Sequence, residues 1–117
     1  MENLNRIKFS KGKIEGIVQI FTYKDDDDNI YYSECPALDI VSYGDTEEEA
    51  QKMLEEAIEI QLDYMNKKGT LIEELLKLGW KKNPYNKQKF ENKVFTDKIP
   101  PYLMSKNPNI RNQKVFA

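Results

Sequence analysis

The sequence predicts an α+β domain. It reads as a three-stranded antiparallel meander, then a long helix and a short helix, then a polar C-terminal tail able to add one or two strands. Three observations predict this. β-branched and aromatic residues gather in three short runs before Gly44. Turn residues separate the runs. A helical apolar stripe that opens on a capping signal follows them.

The first run, "KIEGIVQIFTYK" (13–24), alternates but has apolar residues on both faces, as in a strand covered on both sides. "DDDDN" (25–29) breaks it. Adjacent carboxylates repel one another and prefer water, so they fit a hairpin tip. "IYYSEC" (30–35) is the return strand, and Pro36, which cannot donate to a ladder, ends it. "LDIVSY" (38–43) is the third strand.

Gly44-Asp45-Thr46 is a corner. Thr46 and Glu49 have capping-box spacing, and Glu47, Glu48 and Glu49 suit the positive end of a helix dipole. Ala50, Met53, Leu54, Ala57, Ile58 and Met65 then fall on one stripe, with Leu62 at its margin. Gly69 can end the helix in the left-handed conformation. Thr70 and Glu73 repeat the capping box before "LIEELLKL" (71–78), which stops at Gly79. Trp80 follows as an anchor. The remainder is polar and basic, with short strand signals near 93–96 and 110–116 split by prolines. The chain thus divides into a core over 1–80 and a basic extension over 81–117, which belongs to the same domain or serves as a partner-binding tail.

The bulk composition narrows the function. A chain of 117 residues is the size of one domain. No apolar run is long enough for a membrane span, and "MENLNRIKFSKGK" lacks the apolar centre of a signal peptide, so a cytoplasmic protein is expected. Cys35 is the single Cys and His is absent. An intrachain disulfide is excluded, and the usual base and the commonest metal ligand are missing. Cys35, inside a strand pattern, reads as a packed thiol. The net charge of −2 hides a division: residues 1–66 hold six basic and sixteen acidic residues, and residues 67–117 hold twelve and four. Such asymmetry suits a basic partner at the front half and nucleic acid or an acidic neighbour at the back half, or simply two solvated faces.

The order strand, strand, strand, helix, with "YYSECPALDIVSYGDTEEEA" (31–50) at its centre, resembles the HicB antitoxin family. The matching residues are Tyr31, Tyr32, Pro36, Leu38, Gly44, Asp45, Thr46, Glu49 and Ala50, and the similarity spans about 14–80. It implies a truncated ribonuclease H-like fold that has lost its nuclease site. It also implies a partner, a small basic RNA-cleaving toxin of HicA type that the antitoxin neutralises. Many HicB proteins add a ribbon-helix-helix or helix-turn-helix module. Here no pair of amphipathic helices follows Trp80, although "FTDKIPPYLM" begins a little like a ribbon strand, so direct DNA binding is not expected.

A ribonuclease H-type site needs carboxylates from separate elements around two metal ions. The middle of the first run, Gly16 to Ile20, has no acid. Glu34 and Asp39 flank Pro36 and can approach each other, but without a third ligand or a base they make no site. No enzyme activity, metal or cofactor is expected. Asp25, Asp26, Asp27 and Asp28 read either as a solvated turn or as phosphate mimics for a toxin that grips RNA. With Glu34, Asp39 and the aromatics Tyr31 and Tyr43 they form the candidate partner surface, the tyrosines being anchors or packing residues. Pro36, Leu38, Gly44, Asp45, Thr46, Glu49 and Ala50 form the structural motif. Two other readings remain open. One is an orphan domain of this fold that acts as a self-associating protein-interaction module; on this reading and the antitoxin one alike, a homodimer or larger assembly through an edge or tail strand is expected. The other is a nucleic-acid-binding protein using Lys77–Lys93, where Trp80, Tyr85 and Phe90 stand among lysines.

Overall fold

The computed structural model describes residues 5–92 and 101–117, with the side chain of Pro101 excepted. The elements run β1 (Asn5–Ser10), β2 (Lys13–Lys24), β3 (Tyr31–Cys35), β4 (Ile40–Gly44), α1 (Glu47–Lys68), α2 (Leu71–Lys77), β5 (Lys81–Asn83), β6 (Asn86–Asn92), α3 (Pro101–Met104) and β7 (Asn109–Phe116). The expected meander is present as β2, β3 and β4, but it is part of a sheet that has seven strands among the described residues. The short strand expected near 93–96 lies outside the described residues, as does most of the ribbon-like segment.

β1 was hidden in a stretch that reads as polar. Ile7 is buried between Arg6 and Lys8, which are not. Lys11 and Gly12 both take positive φ, 53° and 74°, and join β1 to β2 as a two-residue hairpin.

β2 is the spine of the sheet. Ile14 and Ala117 exchange both backbone hydrogen bonds, at 2.8 and 2.9 Å. Even-numbered residues of β2 therefore turn their peptide groups toward β7, which pairs without a break from Glu15–Phe116 to Thr22–Asn109. The odd-numbered residues turn the other way. There β1 pairs with Lys13 to Ile17, and β3 pairs with Phe21 to Lys24. β1 and β3 thus lie end to end along the same side of β2. In the gap between them the Asn5 side chain takes the place of a strand, its Oδ1 accepting the Gln19 N–H at 2.6 Å. One branch continues from β3 to β4, the other from β1 to β6 and β5.

α1 and α2 cover one face. The core there joins Ile7, Ile14, Val18, Ile20 and Cys35 to Leu54, Ile58, Leu62, Leu71 and Leu75. Phe90 and Val115, from beyond residue 80, belong to the same core, so the sheet has no break at that position. Trp80 is buried and its Nε1–H donates to the Ala37 carbonyl at 2.7 Å, which ties the end of α2 to the β3–β4 connection. α3 lies toward the second face, where Leu103 and Phe21 are buried outside the main core.

Several local expectations need correction. Leu62 is fully buried at the centre of the helical stripe, whereas Met53 is 47% exposed. The third strand begins at Ile40, because residues 36–39 form a turn with Asp39 at φ 55°. The Thr46 cap is made, with Oγ1 accepting Glu49 N–H at 3.1 Å, while the Glu49 carboxylate accepts the N–H of Asp45, one residue earlier than a standard capping box. Thr70 makes no side-chain cap. Its ψ of 6° is far from the extended backbone that lets an N-cap side chain reach the first turn. Gly69 ends α1 at φ 74°, as expected.

Candidate functional site: an acidic, tyrosine-lined sheet end

The β2–β3 register sets the geometry. Tyr23 pairs with Tyr32, which pairs with Tyr43 on β4. Directly paired residues share a face, so the three rings form a row on the face away from α1. Tyr23 and Tyr32 stack with centroids 5.8 Å apart, and Tyr32 and Tyr43 lie tilted at 6.3 Å. Lys106 places its ammonium 5.2 Å from the Tyr23 ring centroid.

Glu34 stands beside this row. One of its oxygens accepts the Tyr23 hydroxyl at 2.9 Å and the other accepts the Tyr102 hydroxyl at 2.5 Å. Burial, followed by the bond to the Glu34 carboxylate, raises both phenols well above their ordinary range, so both stay protonated donors. Glu34 therefore links α3 to the sheet. Asp39 is exposed and also acts on Tyr102.

The acidic tip divides into two pairs. Asp25 Oδ1 accepts Asp27 N–H at 2.8 Å, and Asp28 accepts Ile30 N–H at 3.2 Å and the Tyr32 hydroxyl at 3.3 Å. These two carboxylates build the turn. Asp26 and Asp27 project into solvent, and their side chains make no hydrogen bond or ion pair among the described residues.

Tyr31 and Tyr43 do not act together. Tyr31 pairs with Lys24 and Gly44 and lies on the opposite face from Tyr43, with the Lys24 ammonium 5.9 Å from its ring centroid. The sequence reading missed Tyr23 and Tyr102, and named Tyr32 only in the family motif and not on the partner surface. The hairpin register around Asp25–Asp28 is the signal that could have brought Tyr23 and Tyr32 together. Tyr102 approaches Glu34 through tertiary packing and left no local signal.

The structural motif holds the corner. Gly44 is buried, and a Cβ there would lie 2.8 Å from the Ala50 backbone nitrogen. Ala50 is fully buried, Leu38 is in the core and Pro36 is half-buried. Cys35 is fully buried, and burial pushes its thiol up to about 12, so a nucleophilic thiolate is not on offer at neutral pH.

The other end of the same sheet face is cationic. Arg6, Lys8, Lys89 and Lys114 surround Ile17 and Phe116 in a shallow concavity of about 510 Å³, with Glu15 and Glu91 among them. Of the aromatics in 77–93, Trp80 and Phe90 are buried and cannot stack on a ligand, whereas Tyr85 is 96% exposed.

No protein-family model, curated protein or solved structure matches the chain. No helix among the described residues is long and apolar enough to cross a membrane.

Proposed function

We propose that this chain is a HicB-like antitoxin that binds and neutralises a small basic ribonuclease toxin of HicA type. The observation that supports this reading best is the row Tyr23–Tyr32–Tyr43 bordered by Asp25–Asp28. Aromatic surface with a carboxylate rim suits a partner that presents Lys and Arg for RNA. The order β2, β3, β4, α1, with Gly44 and Thr46 at the corner, is what the ribonuclease H-like assignment rests on. On this reading the protein acts by covering its partner and does no chemistry itself.

The test is co-expression with a HicA-type toxin from a neighbouring reading frame. Growth should recover, and the two chains should copurify. Continued toxicity together with separate elution would overturn the reading. The purified chain should also leave RNA intact with Mg²⁺ or Mn²⁺. Cleavage that survives repurification would place the function elsewhere.

A second reading has its own observation, the cations around Phe116. Nucleic acid bound there would show salt-dependent affinity, lost in Lys89→Glu with Lys114→Glu. Self-association through an edge strand is checked by light scattering at high protein concentration.

A further inference from the structure

The outer edge of β4 brings three independent features together. The first is backbone. Asp25 and Ile30 are hydrogen-bonded across the β2–β3 hairpin, so even-numbered residues of β3 turn toward β2. Odd-numbered Tyr31, Ser33 and Cys35 turn toward β4 and pair with Gly44, Ser42 and Ile40. Val41 and Tyr43 therefore point their N–H and C=O groups away from the sheet, and no strand among the described residues takes them.

The second feature is side chains. Val41 is 59% exposed and Tyr43 66%. Soluble proteins usually blunt such an edge with Lys, Pro or a bulge, and "IVSYG" has no such residue and no bulge in its register.

The third is charge. Residues 25–51 hold ten carboxylates and not one Lys or Arg. A second copy could set Val41 opposite Tyr43 of its mate, but pairing β4 with itself would bring two such acidic segments together, which like-charge repulsion opposes. A cationic strand meets no such penalty. The tyrosine row that ends in Tyr43 already holds one ammonium, that of Lys106, at its other end.

We propose that the β4 edge is a strand-addition site for an extended basic segment of a partner protein, which pairs its backbone with Val41 and Tyr43 and lays Lys or Arg side chains against Tyr43 and the surrounding carboxylates. This deepens the antitoxin reading and rests on it only for the identity of the partner.

The probe is a short fluorescent peptide of alternating Lys and Thr, with three analogues: two N-methylated at alternate residues, one in each register, so that one edge or the other cannot donate, and one with Glu in place of Lys. The Lys peptide should bind, should shift the Val41 and Tyr43 amide resonances most, and should weaken in high salt. N-methylation in the pairing register should cost roughly tenfold in affinity, since it deletes the pairing hydrogen bonds, and the Glu analogue should not bind. Equal binding of every methylated register, or shifts confined to other strands, would overturn the proposal. Val41→Pro removes one outward donor at an edge position that tolerates Pro, and with the fold verified by amide spectra it should bind the Lys peptide about tenfold more weakly. Should this variant not fold, the methylated peptides decide alone. Peptide pairing at β4 without neutralisation of a HicA-type toxin would uphold this site and sink the antitoxin reading. Neutralisation without peptide pairing would do the reverse.

Discussion

Cys35 shows what burial does to a single group. Its ordinary pKa of 9.0 rises to about 12 in the fold, chiefly by desolvation. Below about pH 9 both folded and unfolded chains keep the proton, and the thiol's contribution to stability is complete. Between about 9 and 12 the unfolded chain releases its proton first, so stability falls as pH rises, by up to about 1.4 kcal/mol per unit. Cys35→Ala should flatten that decline in urea titrations. The native thiol should also resist an aromatic disulfide reagent at pH 8 and react on unfolding. The threonines at the two N-cap positions give a paired comparison at the same scale. Thr46→Ala should cost about 1 kcal/mol, because a bond to Glu49 N–H is lost. Thr70→Ala should be close to neutral in the same denaturation assay, because Thr70 caps nothing with its side chain. Equal losses would mean that cap geometry is not the cause.

At the scale of elements, legibility in the sequence followed the range of the interaction. β2, β3 and α1 were readable because alternation, a charged turn and a capping threonine are local signals. β1 was not, because only Ile7 and Phe9 mark its inner face within a polar stretch. The β5–β6 hairpin was missed because Phe90 is its single buried apolar side chain. The acids and Tyr43 of the candidate site were legible as surface residues. The tyrosine row was not, since it depends on strand register, and neither was the Tyr102–Glu34 bond, since it joins distant parts of the chain. Strand contact makes its own demand at Gly16. A Cβ there would sit 2.2 Å from the Arg6 carbonyl oxygen and 2.9 Å from Ile7 Cα. Gly16→Ala should therefore lower stability by about 2 kcal/mol or more, since the β1 backbone must shift. A variant with unchanged thermal midpoint would show that β1 can give way.

Across the whole molecule, the two branches from β2 keep the charges apart. The β3–β4 branch carries Asp25–Asp28, Asp39 and Asp45, and the β1–β6–β5 branch carries Arg6, Lys8, Lys81, Lys82, Lys87 and Lys89. Such a dipolar surface orients an approaching charged partner before contact. Asp26→Asn with Asp27→Asn should leave stability unchanged, because neither side chain supports the turn. On the proposed antitoxin reading, the pair should slow association with a HicA-type toxin in low salt, and high salt should remove most of the difference. Asp25→Ala with Asp28→Ala should lower stability as well, since those carboxylates hold the turn. If the Asp26/Asp27 variant associates at the wild-type rate in low salt, the tip does not steer.

β2 also dictates the order in which the protein can be finished. Its odd side finds partners nearby in sequence, but its even side waits for Asn109–Phe116. That pairing closes the largest loop in the sheet, and non-local closure of this kind slows folding. During synthesis β7 is made after every other described element, so the growing chain displays an open strand edge until translation has passed residue 116. Val115 reaches the core only at that moment. Translation stalled before Asn109 would leave that edge of β2 bare, a template on which neighbouring chains can add strands.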